Sequence, residues 1–550
     1  MVLTDNDATQ VGDLDRKEEF TQGQSDKKLI RQIDAWLEES SSFYEDLRRI
    51  WQTNLEYYRG NQTEVLTIRG KKSKAVENRI WMATETMIPI ATARLPEMEV
   101  LSNNDDEKSQ MNADSLKKVL AYGFERVGVQ EKAERFARDM IVKRYGVLKP
   151  SWNKAIDDFE VTVIDPRRIR IPAFGRSVDE LKYIIEDLEL SFEQLVEQFG
   201  KAKANDVFKA NPKPSDDKIR KVTYSIQEVW TNETVVWRAG KIILKKKANP
   251  FFNFKNKNKN HFDKPAKPYI IRSLFHTSES IIGETDYIQQ VMRIQDNINT
   301  RKRQIEDLTS LVGNPFLIID SDVMSEEEAA QITNEPGQII HGPGAADPGR
   351  IRFESPGQIP QYMFADLETS RNELDNIWGI HSTTRGEREG RETLGGRKLL
   401  RQADLGRIDG IARQIERGLG DLGDWFTQLI KMFYTTERTL SILGDDGVEM
   451  VRAFKGDQVE NVRLIVRPGS TLPRDEVTIH GEAIQLWQLQ AIGIRTLYKM
   501  LKLPNAPEAI QDYANTHSGA ILQEGQQQAG QQTGGAIQGL EGIQNPQQAA

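Results

Sequence analysis

Between residues 29 and 58 apolar side chains return every three or four positions: Leu29, Ile33, Trp36 and Leu37, then Phe43, Leu47, Ile50, Trp51, Leu55 and Tyr58. That period marks one face of an α-helix. The run Ser40, Ser41, Ser42 predicts a break into two helices, the second closed by Gly60 and Asn61. Upstream, the first two dozen residues show no period and are expected to form a mobile arm. A helix is expected over 78–100, interrupted at Pro89 and halted before Pro96, and a long one over 115–145 that stops at Gly146.

The pattern then shifts to short extended pieces over 146–152, 159–164, 168–171, 183–188, 224–231, 234–238 and 241–245. The fold class expected is therefore α+β, mainly helical. Residues 245–267 combine three consecutive lysines with an Asn, Lys and Phe-rich stretch. This composition suits an exposed loop, or a nucleic-acid contact made by aromatics interleaved with lysines.

Over 286–311 the positions Ile288, Val291, Ile294, Ile298, Ile305 and Leu308 form a stripe on a strongly charged helix, stopped by Gly313, Asn314 and Pro315. An extended piece over 316–319 follows, then a helix capped by Ser325 and a Gly/Pro-punctuated run over 336–360. A second helix, 361–380, returns. Residues 381–396 are polar and dotted with glycine, and 397–434 resume as one long helix. Extended pieces near 448–454 and 462–466 precede helices at 484–491 and 495–501. From 519 onward the chain is Gln, Gly and Ala-rich and is expected to stay disordered.

Composition narrows the chemistry. The 550 residues, 38% hydrophobic and 28% charged, exceed one ordinary domain, so several parts are expected. With no cysteine, disulfides and thiolate metal sites are excluded. His261, His276, His341, His381, His480 and His517 lack ligand spacing, so no metal and no cofactor is expected. A net charge of −8 argues against a protein that coats nucleic acid by overall attraction. No apolar run reaches the roughly 18 to 20 residues of a membrane span, and the polar, acidic N-terminus is unlike a signal peptide. The chain reads as soluble and unexported.

Catalytic signatures are missing too. No phosphate-gripping Gly-x-x-x-x-Gly-Lys-Ser/Thr loop, no His-Glu-x-x-His and no Gly-x-Ser-x-Gly occurs, so an enzyme is not expected. Gly418, Gly420 and Gly423 match the literal dinucleotide pattern, yet both flanks have helical period where a strand should precede. The better reading is glycines that allow close helix approach or a bend. The charged tract Arg293, Asp296, Arg301, Lys302, Arg303, Glu306 and Asp307 reads as a solvated helix face or as the lining of a wet channel.

The order of elements resembles the portal, or head-tail connector, proteins of tailed bacteriophages, most closely those of short-tailed phages. The likeness runs over about 29–513 and is carried by local sequences. They are Trp51 to Gln62 with its Tyr57-Tyr58-Arg59-Gly60 ending, Glu77-Asn78-Arg79-Ile80, Tyr145 to Lys149, and Val163 to Arg167. Further on come Ile282-Gly283-Glu284-Thr285, Gln295 to Asn299, Gly313-Asn314-Pro315, Thr384-Arg385-Gly386-Glu387 and Glu392-Thr393.

The resemblance implies a portal-type fold: an arm (1–27), a wing (28–285), stem helices at 286–311 and 361–380 around a clip (312–360), and a tunnel loop (381–396). A long wing helix (397–434), wing β segments (435–481), a crown (482–518) and a tail (519–550) complete it. It further implies a homo-oligomeric ring, a dodecamer in the family, through which double-stranded DNA is packaged and ejected. Arg301, Lys302 and Glu306 would line the stem channel. Arg385, Glu387, Arg388, Glu389, Arg391 and Glu392 would face DNA from the tunnel loop. Expected partners are a terminase ATPase, tail or adaptor proteins, and the major capsid and scaffolding proteins, at a virion vertex assembled in the host cytoplasm. A non-channel structural or scaffolding protein is the rival, and a Mg²⁺ nuclease using scattered carboxylates a third reading.

Overall fold

The computed structural model describes residues 22–62, 73–102, 104–210, 223–275, 280–313, 316–319, 322, 325–330, 350–354, 358–380, 394–436, 438–443, 449–459, 462–467, 470–471 and 476–501. The chain divides into two compact units, Met1–Glu437 with Phe454–Leu472 and Arg438–Ala453 with Pro473–Ala550. It is a mixture of helix and sheet, consistent with an α+β class.

In the first unit, α1 (Gln22–Arg59) is one uninterrupted helix rather than two. Ser40 Oγ donates back to the carbonyls of Trp36 and Leu37 at 3.0 and 3.3 Å, and Ser41 Oγ to that of Glu38 at 2.9 Å. Serines satisfied within the preceding turn leave the ladder intact, so the expected break does not form. The helix also begins ahead of the expected limit of the arm. α2 (Arg79–Ala91) contains Pro89 and ends soon after it, and strand β1 (Met98–Ser102) begins beyond Pro96, taking in the end of the range 78–100 expected as an interrupted helix. The single helix expected over 115–145 is two, α3 (Glu107–Arg126) and α4 (Val129–Val142). Gly128 between them sits at φ 63°, a left-handed turn that glycine adopts without strain. The apolar stripe continues across the break, which hides it from periodicity.

Two antiparallel sheets follow. β2 (Tyr145–Asn153), β3 (Asp158–Ile164) and β9 (Ile270–Ser273) take the order β3-β2-β9. β4 (Ile169–Arg170), β5 (Ile184–Ser191), β6 (Thr223–Trp230), β7 (Thr234–Ala239) and β8 (Ile242–Ala248) form the second in sequential order. Short helices α5 (Phe192–Phe199) and α6 (Lys201–Ala210) lie between β5 and β6 in the chain. Helix α1 joins the sheets. Ile33 packs among Tyr183, Ile185, Val229 and Val236, and Trp36 stacks on Tyr183 at 4.7 Å. Further along, Trp51 Nε1 donates to the Lys143 carbonyl at 2.8 Å and Asn54 Nδ2 to that of Val142 at 3.0 Å, satisfying the open end of α4. Between the sheets the Lys149 ammonium lies 2.6 Å from the buried Glu186 and 2.8 Å from the buried Glu228.

The long α10 (Leu394–Phe433) carries the Gly418, Gly420, Gly423 pattern in mid-helix, so it cannot be a strand-to-helix phosphate loop. A Cβ on Gly418 would stand 3.0 Å from the Phe136 ring, and one on Gly423 2.6 Å from Leu464. Close approach is what these glycines allow. Leu464 belongs to β14 (Val462–Val466), which pairs antiparallel with β1.

The second unit holds the paired strands β12 (Arg438–Leu443) and β13 (Glu449–Phe454) and the helices α11 (Glu476–Gln488) and α12 (Ile494–Leu501). β12 carries no extended segment in the sequence pattern. The expected tail from 519 lies outside the described residues.

Candidate functional site: a helix pair and its ion-pair collar

The stretch read as the first stem helix is α7 (Tyr287–Gly313), and the return helix is α9 (Gln361–Trp378). Between them β10 (Phe316–Ile319) pairs antiparallel with β11 (Ile351–Glu354), and α8 (Glu326–Ala329) lies on the connection. Tyr287 stacks on Trp378 at 5.0 Å, and Arg301 pairs with Asp366 at 2.5 Å. The first residue of one helix meets the last of the other, and middle meets early, so the helices run antiparallel. Ile288, Val291 and Ile298 of α7 and Leu367, Leu374 and Trp378 of α9 are buried.

The start of α7 is built tightly. Asp286 accepts from the Gln289 N–H at 2.8 Å, the N-cap geometry that satisfies an open first-turn donor. Its other oxygen accepts from Arg144 Nε at 3.1 Å, and Arg144 Nη2 donates to Gln289 at 2.6 Å. Arg144, at φ 71°, is a rare non-glycine residue in the left-handed region, held there in the turn from α4 into β2. Just upstream, a Cβ on Gly283 would lie 2.3 Å from the Phe275 carbonyl, so only glycine fits.

Two turns and more into α7, two polar side chains lie beside the apolar stripe. Gln295 and Asn299 are buried and grip residues 62 and 77–79. Gln295 Nε2 donates to the Glu77 carbonyl at 2.6 Å and its Oε1 accepts from the Arg79 N–H at 3.2 Å. Asn299 Oδ1 accepts from the Glu77 N–H at 3.0 Å, and its Nδ2 donates to Gln62 at 2.6 Å. Arg303 adds two bonds at 2.9 Å, to the carbonyls of Ala75 and Gln62. The segment 73–78 has no regular structure, and α7 satisfies part of its backbone.

The Glu77 carboxylate is the centre of the collar. Arg371 of α9 donates to both oxygens at 2.8 and 2.6 Å, with Arg79 at 3.4 Å and Lys302 at 3.5 Å. Arg79 reaches on to Asp375 at 2.8 Å. Burial pushes the Glu77 carboxyl up, but the Arg371 bonds and the surrounding cations outweigh it and hold it below the usual carboxylate range. Nearby, Tyr57 donates to Asp296 at 2.7 Å, and burial raises both groups above their ordinary values.

Of the residues expected to line a channel, Arg301 pairs with Asp366, Lys302 with Glu77, and Glu306 accepts from the Ser73 hydroxyl. All three lie on one stretch of α7 and each is engaged within the subunit. Arg385, Glu387, Arg388, Glu389, Arg391 and Glu392, the expected tunnel loop, lie outside the described residues. Glu77, Arg144, Arg371 and Asp375 were not singled out as site residues by sequence. The available signal was Gln295 and Asn299, amides four residues apart beside an apolar stripe.

Among the described residues no group of His, Asp or Glu side chains is placed to hold a metal ion, and no helix is long and apolar enough to cross a membrane. No curated protein matches the chain. The stretch 284–469, from just before the Asp286 cap through the whole of β14, does match the model of a known family, described as Phage P22-like portal protein. The antiparallel helix pair, the strands between it and the long helix after it all lie inside that match, which supports a phage portal protein.

Proposed function

We propose that this chain is the subunit of a portal ring, most like those of short-tailed phages, through which double-stranded DNA enters and leaves the capsid. The carrying observation is that α7 and α9 lie antiparallel, bracket the β10–β11 ladder, and fall within the matched stretch. The matched family is structural rather than catalytic. In this reading α7 and α9 are the stem, 312–360 the clip and 482–518 the crown, and each protomer's head-to-tail contact closes the ring, a dodecamer as in the family.

The collar suits a sliding polymer. DNA moving through a bore needs a low barrier, so wall charges should be neutralised in place. Arg301 against Asp366 and Lys302 against Glu77 meet that need, presenting dipoles rather than free cations to phosphate. Arg385, Arg388 and Arg391, offset by Glu387, Glu389 and Glu392, would act as a grip or valve on DNA. A terminase ATPase docking on the clip would supply the energy, later replaced by tail or adaptor proteins, with capsid and scaffolding proteins around the vertex. Images of the purified protein viewed down its symmetry axis are expected to show closed rings with a central hole. Monomers or open assemblies would refute the proposal and favour a non-channel structural protein.

A further inference from the structure

Away from the helix pair, the connection between β8 and β9 exposes five consecutive residues, Lys255, Asn256, Lys257, Asn258 and Lys259. Such a composition usually means a wet, mobile loop, yet this one is fixed from within. Asn253 Oδ1 accepts from the N–H groups of Lys255 and Asn256 at 3.1 and 2.9 Å, and Asn256 Oδ1 from that of Asn258 at 3.2 Å. The buried Asn260 exchanges two bonds with the Asn253 backbone, at 2.8 and 3.0 Å. Helix α10 clamps the base: Gln428 donates to the Phe251 carbonyl at 2.7 Å, and Lys431 to that of Asn260 at 2.9 Å.

The aromatics that accompany these lysines in sequence turn inward. Phe251 and Phe252 are each 4% exposed, Phe251 stacking on Trp230 and Phe262 packing edge-on against Trp425. The half-buried Phe254 packs edge-on against Phe252 at 5.0 Å, so the rings are engaged with one another rather than set out as a stacking platform for single strands. What faces outward is three lysine ammoniums and two neutral amides, with no carboxylate among the five. Lys255, Lys257 and Lys259 make no ion pair among the described residues, and no large apolar side chain is exposed beside them to anchor a protein partner. Preorganised cations without an apolar centre fit a polyanion of regular charge spacing.

We propose that residues 255–259 are a docking loop for the phosphate backbone of duplex DNA, sequence-independent and separate from any channel. The net charge of −8 opposes long-range attraction, so the contact acts at short range and fades with salt. Three lysines each neutralising one phosphate contribute about −2.7 to the slope of log affinity against log salt.

The test uses the full-length protein and a closed circular duplex of several hundred base pairs, which cannot thread a ring. Binding is followed by gel shift as salt is raised. The wild type is expected to bind at low salt, and K255Q/K257Q/K259Q to weaken binding at least tenfold and flatten the slope by about 2.7 units. N253A, which loosens the loop without changing its charge, is expected to weaken binding severalfold. Unchanged affinity and slope in the triple variant would overturn the proposal. So would a polyglutamate peptide that binds more tightly than the circle and is lost in the same variant, since the partner would then be an acidic protein. Because the probe bypasses the bore, failure here leaves the ring reading intact, and absence of rings leaves this binding untouched.

Discussion

Replacing Glu77 with alanine should open the collar selectively. The variant leaves Arg371, Lys302 and Arg79 facing one another, with Asp375 beside Arg79 and the exposed Glu368 beside Arg371 as the remaining carboxylates, and removes the two Arg371 bonds of 2.8 and 2.6 Å. Hydrogen bonds to charged groups contribute about 1.5–3 kcal/mol. The Glu77 and Arg371 side chains are 17% and 25% exposed, so water replaces part of that. The net loss is put at about 2 kcal/mol. The amides of Glu77 and Arg79 report it directly, since they bond to Asn299 and Gln295. At 1.4 kcal/mol per factor of ten, hydrogen exchange in 73–80 and 295–303 should quicken roughly 30-fold. E373A, at an exposed carboxylate on the same helix, should leave both segments unchanged. Protection in E77A within about threefold of wild type, or an equal rise in E373A, would refute the assignment of Glu77 as the hub.

The other expectations are simpler. Burial pushes the Asp165 carboxyl up, but bonds from Arg167 and Lys143 overcome this and bring it to about 2, below its ordinary 3.8. A carboxyl held down stabilises the fold above its ordinary value and loses that contribution as pH falls through its own, so the stability gap between wild type and D165N should vanish from about pH 4 to pH 2 in thermal scans. G283A, whose methyl meets a backbone carbonyl, should cost about 1–3 kcal/mol, whereas G313A, with open space around it, should be neutral in the same scans. Trp378 Nε1 is buried without an acceptor, so W378F should cost under about 1.5 kcal/mol, against about 3–5 for W378A, read from thermal midpoints. Reversing the charge of Arg385, Arg388 and Arg391 should leave rings intact in micrographs and alter DNA retention; unchanged packaging and retention would discard the loop's role.

Much of this architecture was legible because period and burial coincide. β2 to β8 fall on the extended segments within a few residues, α7 on its apolar stripe and α9 on the return helix read over 361–380. The misreadings have physical causes. Ser40 and Ser41 bond within their own helix, and Gly128 turns the chain without interrupting the stripe from Leu116 to Met140. β1 finds its partner in β14, more than 350 residues away, so no local signal marks it. The collar was less readable still. Lys302 looks like any solvated lysine until Glu77 is beside it, and that pairing exists only in three dimensions. Gln295 and Asn299 offered only a local hint, amides four residues apart beside an apolar stripe, and their burial and partners show only in the fold.

The Arg144–Asp286 pair has a mechanical consequence. Both side chains are buried, and separating them would strand a charge at about 3–5 kcal/mol, so α7 cannot rotate about its own axis at that end without a steep penalty. A twist applied to the helix pair should therefore be resisted at the α4–β2 turn, where Arg144 sits. There Trp51 and Asn54 of α1 hold the adjoining carbonyls, so the first turn of α7 is tied to α1 and α4 through a single left-handed arginine.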